Sequence, residues 1–101
     1  MPTDRRRGAD PSLLVLISLA AGPKHGHGML LDIERFSGQR LGPGTLYGAI
    51  ERLELDDLIE ALPGDDRRRP YRLTASGSAY LAGRLDGIER LAGVGRSRIS
   101  A

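Results

Sequence analysis

One stretch in the middle of the chain constrains the fold more than any other feature. Residues 41–62 read LGPGTLYGAIERLELDDLIEAL. Pro43 suits the first turn of a helix, because the amide that it lacks would have no helical partner there. The apolar spacing that follows predicts a helix as far as Leu53. A turn and a short strand over residues 58–62 complete the stretch.

The predicted helix has two contrasting faces. Its apolar positions recur at helical spacing and predict a buried face formed by Leu46, Ala49, Ile50 and Leu53. The opposite face is small, hydroxylated and partly charged, and it consists of Gly44, Thr45, Tyr47, Gly48, Glu51 and Arg52. Its two glycines keep the surface low, so that another backbone can approach closely. Such a face can lie in a nucleic-acid groove.

Two further helices are predicted before this stretch. We expect Ser12 to cap the first of them. Its residues 13–19 are apolar nearly all round, which indicates a core element, and Gly22-Pro23 ends it. The second helix is expected to bury a stripe of four apolar side chains, Met29, Leu30, Ile33 and Phe36.

The segment between those helices carries three side chains that can donate hydrogen bonds. Lys24, His25 and His27 lie at the start of the second helix, near enough to donate to a phosphate. The chain has no third histidine and no cysteine to complete a soft metal site. We therefore expect no metal or other cofactor, and we assign these three residues to nucleic-acid contact.

A β-hairpin is predicted after the central helix. Its strands are residues 58–62 and 71–73, and a tight turn between them is followed by three arginines, Arg67, Arg68 and Arg69. Arginines at a hairpin tip can form a solvated edge that blocks aggregation. Because this tip immediately follows a helix with a low polar face, we expect it to contact the DNA backbone.

The last predicted helix spans residues 75–93, with Thr74 as its cap. Four apolar residues at roughly heptad spacing form its stripe, namely Leu81, Leu85, Ile88 and Leu91. The other elements already close a small core, so we expect this stripe to face another subunit. The alternative is that the helix folds back onto its own chain.

Length and composition limit the function. With 101 residues the chain is one domain with a small core, which oligomerisation commonly supplements. The absence of cysteine excludes disulfides and thiolate metal sites. The apolar run after Arg5–Arg7 is too short to span a membrane and lacks a clean cleavage site, so the sequence predicts a cytoplasmic protein. A net charge of +2 permits nucleic-acid binding without demanding it.

Three sequence elements in this order resemble the PadR family of winged-helix transcriptional regulators. They are GPKHG at residues 22–26, PGTLY at residues 43–47 and YRLTASG at residues 71–77. Each element alone is a weak signal, but their order and spacing together are specific. The resemblance covers residues 13–91.

The resemblance implies a mainly α fold with a small β-hairpin. A winged helix-turn-helix domain over residues 12–74 would precede the dimerisation helix over residues 75–93. We expect a flexible basic arm over residues 1–11 and a disordered tail over residues 94–101 on either side.

The resemblance also implies a homodimeric repressor that binds a palindromic DNA operator. The third helix would lie in the major groove, with the hairpin as a wing beside it. Thr45 and Tyr47 match family residues that resemble DNA-contacting ones, and residues 67–69 match the wing.

Four positions depart from the family pattern. Serine is usual where Gly42 stands, so the third helix lacks a side-chain cap. Tyrosine is usual where His27 stands, and a basic residue or histidine is common where Glu51 stands. An acid there would repel phosphate unless it faces a cytosine amino group. Asp57 replaces a glycine in a left-handed turn, which aspartate tolerates.

Other functions remain open at this point. The short final helix indicates the compact subgroup, whose members can hold flat aromatic ligands between subunits, often with tryptophan. This chain has no tryptophan, and no inducer can be identified from its residues. The alternative function is a winged-helix module that binds another protein and not DNA, favoured by Glu51 and the modest net charge. No catalytic motif is present, so we expect no enzyme.

Overall fold

A computed structural model describes residues 9–65 and 68–101. Within them the chain forms four helices and a hairpin, in the order α1 Pro11–Ala20, α2 Gly26–Ser37, α3 Pro43–Leu55, β1 Ile59–Ala61, β2 Tyr71–Leu73 and α4 Ala75–Ser100. This confirms the mainly α fold with a small β-hairpin and a long C-terminal helix. Arg5–Arg7 and Arg67, to which DNA or arm roles were assigned, lie outside the described residues. In the described part, no helix combines the length and apolarity needed to cross a membrane.

The first helix begins two residues before its apolar run. Asp10 caps α1, because its carboxylate accepts hydrogen bonds from the backbone amides of Ser12 at 3.3 Å and Leu13 at 3.4 Å. The prediction of a Ser12 cap is therefore wrong. An aspartate directly before a proline offers two acceptor oxygens to the free amides of the first turn. The expected core role is confirmed, since five side chains of α1 are buried hydrophobics, Leu13, Leu14, Val15, Leu16 and Leu19.

The core forms where the other elements pack around α1. The predicted buried face of α3 is confirmed in full, and Met29 and Ile33 of α2 are buried as predicted. Phe36 is 44% exposed, so its place in the buried stripe was wrong. Met29 and Ile33 already fill the contact with α1, and Phe36 lies one turn further on, past the edge of the core. Leu30 packs against the core and is only partly buried.

The hairpin is antiparallel and short. Ile59 pairs with Leu73 and Ala61 with Tyr71, so the first strand is three residues and not the five predicted. The turn before the first strand contains Asp57. Its φ of 59° confirms the left-handed conformation expected there. A third chain segment joins the sheet, because Lys24 and Tyr71 exchange backbone hydrogen bonds of 3.2 and 2.9 Å.

The start of α4 is fixed to the hairpin and to α1. The Thr74 hydroxyl accepts from the Gly77 amide at 2.9 Å, as a cap should, and donates to the Asp57 carbonyl at 2.7 Å. Gly77 lies directly against the Leu58 carbonyl, which a Cβ at this position would overlap. One turn later Leu81 enters the core. The first two turns of α4 thereby belong to the packed body of the domain.

The rest of α4 extends beyond that body. The helix continues to Ser100, so its predicted end at Gly93 and the predicted disordered tail over residues 94–101 are wrong. No proline interrupts this part, and Gly93 and Gly95 keep helical backbone, since the positive-φ glycines of the described chain are elsewhere. Glycine weakens a helix without ending it.

Replacing Gly77 with alanine is expected to destabilise the fold by at least ~2 kcal/mol, because the new methyl group would overlap the Leu58 carbonyl. Gly93→Ala is the matched control. It lies in the same helix with nothing within 4 Å of its Cβ position, and alanine there should stabilise by up to ~1 kcal/mol. Urea unfolding followed by circular dichroism at a fixed protein concentration measures both. Equal stabilities would contradict the close packing of α4 on Leu58.

Candidate nucleic-acid interface

The outward face of α3 rises little above the helix backbone at its two glycines. Gly44, Gly48, Glu51 and Leu55 follow one another at helical spacing, on the side opposite the buried residues. A Cβ on Gly44 would meet nothing within 4 Å, and one on Gly48 would meet only the Arg52 guanidinium at 3.6 Å. Among residues 9–65 and 68–101, packing therefore requires glycine at neither position. The low surface is open to a partner outside the chain.

The first turn of α3 is open as well. Gly42 precedes Pro43 and provides no side-chain cap, as the sequence predicted. The first amides of a helix have no intrahelical partner, so those of Gly44 and Thr45 point out of the helix end. Thr45 is exposed beside them. This end of the helix can thus offer backbone amides and a hydroxyl to an external acceptor.

Tyr47 connects α3 to the start of α2. Its phenol lies directly against Gly26, where a Cβ would overlap the phenol oxygen. Gly26 is buried for this reason, while Tyr47 keeps 48% of its surface exposed. The contact joins the GPKHG and PGTLY elements, which are separated by sixteen residues of sequence. Tyr47 is therefore an exposed side chain of the candidate interface, and its phenol also packs between α3 and the start of α2.

The base of the hairpin lies near the α3 residues Tyr47 and Glu54. Burial raises the pKa of Tyr71, and the Glu54 carboxylate raises it further, while Arg69 acts in the opposite direction. The phenol consequently stays neutral at physiological pH. These charges can act on Tyr71 only because α3 and the hairpin lie close together there. The sequence analysis did not include Glu54 among the site residues. Its spacing of seven residues from Tyr47, which places both on one side of α3, was the signal that could have included it.

The hairpin tip presents exposed arginines. Arg68 and Arg69 are exposed, and the turn before them is held by hydrogen bonds from the Arg68 amide to the Asp65 carboxylate and carbonyl at 2.9 and 3.2 Å. Arg72 is also exposed, but its guanidinium donates to Glu60 across the two strands at 2.7 Å. Arg72 is therefore paired with an acid of the same hairpin.

The two histidines lie at the start of α2, as predicted. His25 caps the helix through its Nδ1 atom, which accepts from the Gly28 amide at 3.3 Å. In the neutral ring this leaves the proton on Nε2, which we infer from the hydrogen bond. The Nε2–H group can donate outward, and His27 is exposed nearby. In the described part of the chain, no three acids, histidines or cysteines cluster as metal ligands would.

The Lys24 side chain is bound to groups of its own chain, whereas the prediction assigned it to phosphate contact. Its ammonium donates to the Ser18 carbonyl at 2.6 Å and the Gly22 carbonyl at 3.4 Å, and it lies 3.8 Å from Asp32. The Asp32 carboxylate also accepts from the Ser18 hydroxyl at 2.7 Å. The lysine is used inside the chain, where it binds the last turn of α1 to α2. Its assignment to phosphate contact is therefore wrong.

The predicted dimerisation stripe is divided in two. Leu81 is buried in the core of its own chain, so it is not available to a partner, contrary to the prediction. Leu85, Ile88 and Leu91 are 38%, 41% and 73% exposed on the part of α4 that extends from the body. Leu81 differs because it lies within the first two turns, where α4 packs on α1.

Sequence comparisons identify related proteins. A model of the family described as transcriptional regulator PadR-like matches residues 14–83. The transcriptional regulator Rv3488 of Mycobacterium tuberculosis is 39% identical over 83 residues, which cover 79% of this chain and 77% of that protein. An uncharacterized 37.1 kDa protein in transposon TN4556 of Streptomyces fradiae is 45% identical over 87 residues. That match covers 86% of this chain but spans only 25% of the length of the relative.

Solved structures share the fold. A PadR family transcription regulator from Clostridium difficile R20291 superposes with a TM-score of 0.81 at 22% identity, covering 90% of this chain and 99% of that one. A transcriptional regulator from Clostridium thermocellum gives a TM-score of 0.76 at 26% identity, covering 85% and 89%. The arrangement of the three helices, the hairpin and the long last helix is therefore shared with regulators of transcription.

Replacing Lys24 with methionine is expected to lower the free energy of unfolding by about 1.5–3 kcal/mol, because a largely enclosed ammonium loses its carbonyl partners and Asp32 loses a counter-charge. Arg68→Met is the control, since it removes an exposed cation and should change stability by less than ~0.5 kcal/mol. Chemical denaturation measures both variants. If the two lose equal stability, the ammonium does not bind α1 to α2.

Proposed function

Since the chain belongs to the PadR-like family of transcriptional regulators, we propose that it binds a palindromic DNA operator as a homodimer and represses transcription. PadR-family regulators generally bind DNA and dimerise. The observation that carries the proposal is the low outward face of α3 beside an arginine-bearing hairpin. Both surfaces are exposed, and only residues 56–58 separate α3 from the first strand of the hairpin.

The wing and the outward face of α3 would make different contributions to DNA binding. Arginines of the hairpin tip, the wing, neutralise phosphates and supply affinity that falls with salt. The outward face of α3 lies where base edges are and supplies sequence preference, through Thr45, Tyr47, Glu51 and Arg52 above the two glycines. The Nε2–H of His25, with the exposed His27 beside it, can donate to a phosphate at the start of α2.

Dimerisation would present this surface twice. The exposed Leu85, Ile88 and Leu91 of two α4 helices can pack against each other, and a symmetric pair of α3 helices would read half-sites about one helical turn apart. Occupied operators exclude the transcription machinery, which gives repression. Such a protein acts in the cytoplasm, where its operator is. A small-molecule inducer bound between the subunits, which the resemblance allows, stays a prediction.

A second candidate function is a winged-helix module that binds another protein. Glu51 favours it, because an exposed acid on the outward face of α3 opposes approach to phosphates. Gel retardation with the DNA upstream of the gene, at low and at moderate salt, discriminates between the two. Retardation at moderate salt supports the DNA-binding protein, and its absence at both salt concentrations supports the protein-binding module.

Replacing Arg67, Arg68 and Arg69 together with alanine is expected to weaken binding to all duplexes and to flatten the dependence of affinity on salt. Each lost phosphate contact should reduce the slope of log K against log salt concentration by ~0.9. Fluorescence anisotropy titrations at several salt concentrations measure the slope. Arg72→Gln is the control, because this arginine of the same hairpin is already paired with Glu60 and should leave the slope unchanged. An unaltered slope in the triple variant would exclude the wing from DNA contact.

Replacing Ile88 and Leu91 with aspartate is expected to convert a dimer into a monomer, because four carboxylates would have to be buried in the contact between two α4 helices. Sedimentation velocity over a range of protein concentrations measures the change. Ala82→Asp is the control, since this exposed alanine of α4 lies off the stripe. A wild-type protein that sediments as a monomer at every concentration would rule out the proposed dimer.

A further inference from the structure

Glu51 occupies a distinctive place on the outward face of α3. It follows Gly44 and Gly48 at helical spacing, on the line opposite the buried Leu46, Ile50 and Leu53. A Cβ on Gly44 would meet nothing within 4 Å and one on Gly48 only the Arg52 guanidinium, so Glu51 is the first residue of this line with a long side chain. A helix lying in a groove by this face would insert the Glu51 carboxylate towards the floor of the groove.

The polar neighbours of Glu51 are held by contacts within the chain, whereas Glu51 is not. The Arg52 guanidinium reaches the Ser12 hydroxyl at 3.5 Å, and the Tyr47 phenol packs on Gly26. Across residues 9–65 and 68–101, Glu51 makes no hydrogen bond or ion pair. Its carboxylate therefore has its full acceptor capacity available for an external donor.

A carboxylate in this position selects its partner by chemistry. Phosphates on both sides of a major groove repel it, so it is tolerated only where a donor meets it. Guanine and thymine present acceptors in the major groove, and adenine presents its amino group beside the acceptor N7. Cytosine presents the N4 amino group as a donor with no acceptor of its own beside it. Cytosine is thus the base that a lone carboxylate fits best.

We propose that Glu51 is the specificity-determining residue of α3, and that it accepts a hydrogen bond from the N4 amino group of one cytosine in each operator half-site. The inference rests on the proposed DNA-binding function. The same charge disfavours the other bases, because guanine and thymine present acceptors without a donor, and the N7 acceptor of adenine lies beside its amino group and repels the carboxylate. Affinity in this scheme comes from the cations of the wing. The Glu51 carboxylate lowers that affinity by repelling phosphates, and it raises the preference for cytosine over the other bases.

The test compares sequence preferences of three proteins, wild type, Glu51→Ala and Glu51→Gln, by selection of bound duplexes from a random pool. We expect the wild type to select one fixed cytosine in each half-site and to lose about 5–150-fold in affinity when that base is changed. Glu51→Ala should lose this preference at that position alone and bind unrelated duplexes more tightly. Glu51→Gln should shift it towards adenine, since glutamine pairs with the adenine N6 and N7 atoms.

Two controls separate the possible failures. Asp86→Asn removes the same charge from the exposed surface of α4 and should leave the selected sequence unchanged. A duplex with pyrimidin-2-one at the selected cytosine, which lacks only the amino group, should bind the wild type more weakly and Glu51→Ala equally well.

If Glu51→Ala selects the same sequence as the wild type, Glu51 does not read a base, although DNA binding stands. If the wild type binds no duplex at low salt, the proposed function fails and this inference with it.

Discussion

The domain depends on one junction, where the segment around Lys24 joins α1, α2 and the hairpin. The Lys24 ammonium closes the end of α1 through two carbonyls and approaches Asp32 of α2, while its backbone pairs in both directions with Tyr71 of β2. The exposed carbonyls at a helix end carry partial negative charge, so a cation there is favourable. Because one residue makes all these contacts, the end of α1, the start of α2 and the hairpin cannot move independently.

Tyr71 extends this junction to α3. Its backbone bonds to Lys24, and its phenol lies within the electrostatic reach of Glu54 and Tyr47. Tyr47 in turn packs on Gly26, two residues after Lys24, so residues from all three sequence elements of the resemblance lie around this junction. The start of α2, the base of the hairpin and the first turns of α3 therefore lie together around Lys24.

Local patterns in the sequence predicted most of the fold. The buried face of α3, the cap at Thr74 and the hairpin strands follow from periodicity and capping preference, which depend on neighbouring residues alone. Lys24, Leu81 and Phe36 were misplaced because their environments depend on residues distant in sequence. Lys24 was assigned to phosphate on the basis of charge, yet its ammonium donates to the Ser18 carbonyl of α1 and to the Gly22 carbonyl. Gly26 and Gly77 end two of the elements of the resemblance, but the contacts that require glycine at these positions arise only after folding.

The part of α4 beyond the packed body raises a separate question of stability. Residues 85–100 would span about 24 Å as a helix, and none of them is in the buried core cluster. Isolated helices of about this length are marginal in water, and each of the glycines at 87, 93 and 95 costs a further ~1 kcal/mol relative to alanine. Local propensity therefore cannot hold this segment helical. Burial of the Leu85, Ile88 and Leu91 side chains against a second copy would supply the missing free energy, so that helix formation and subunit association would be one coupled event.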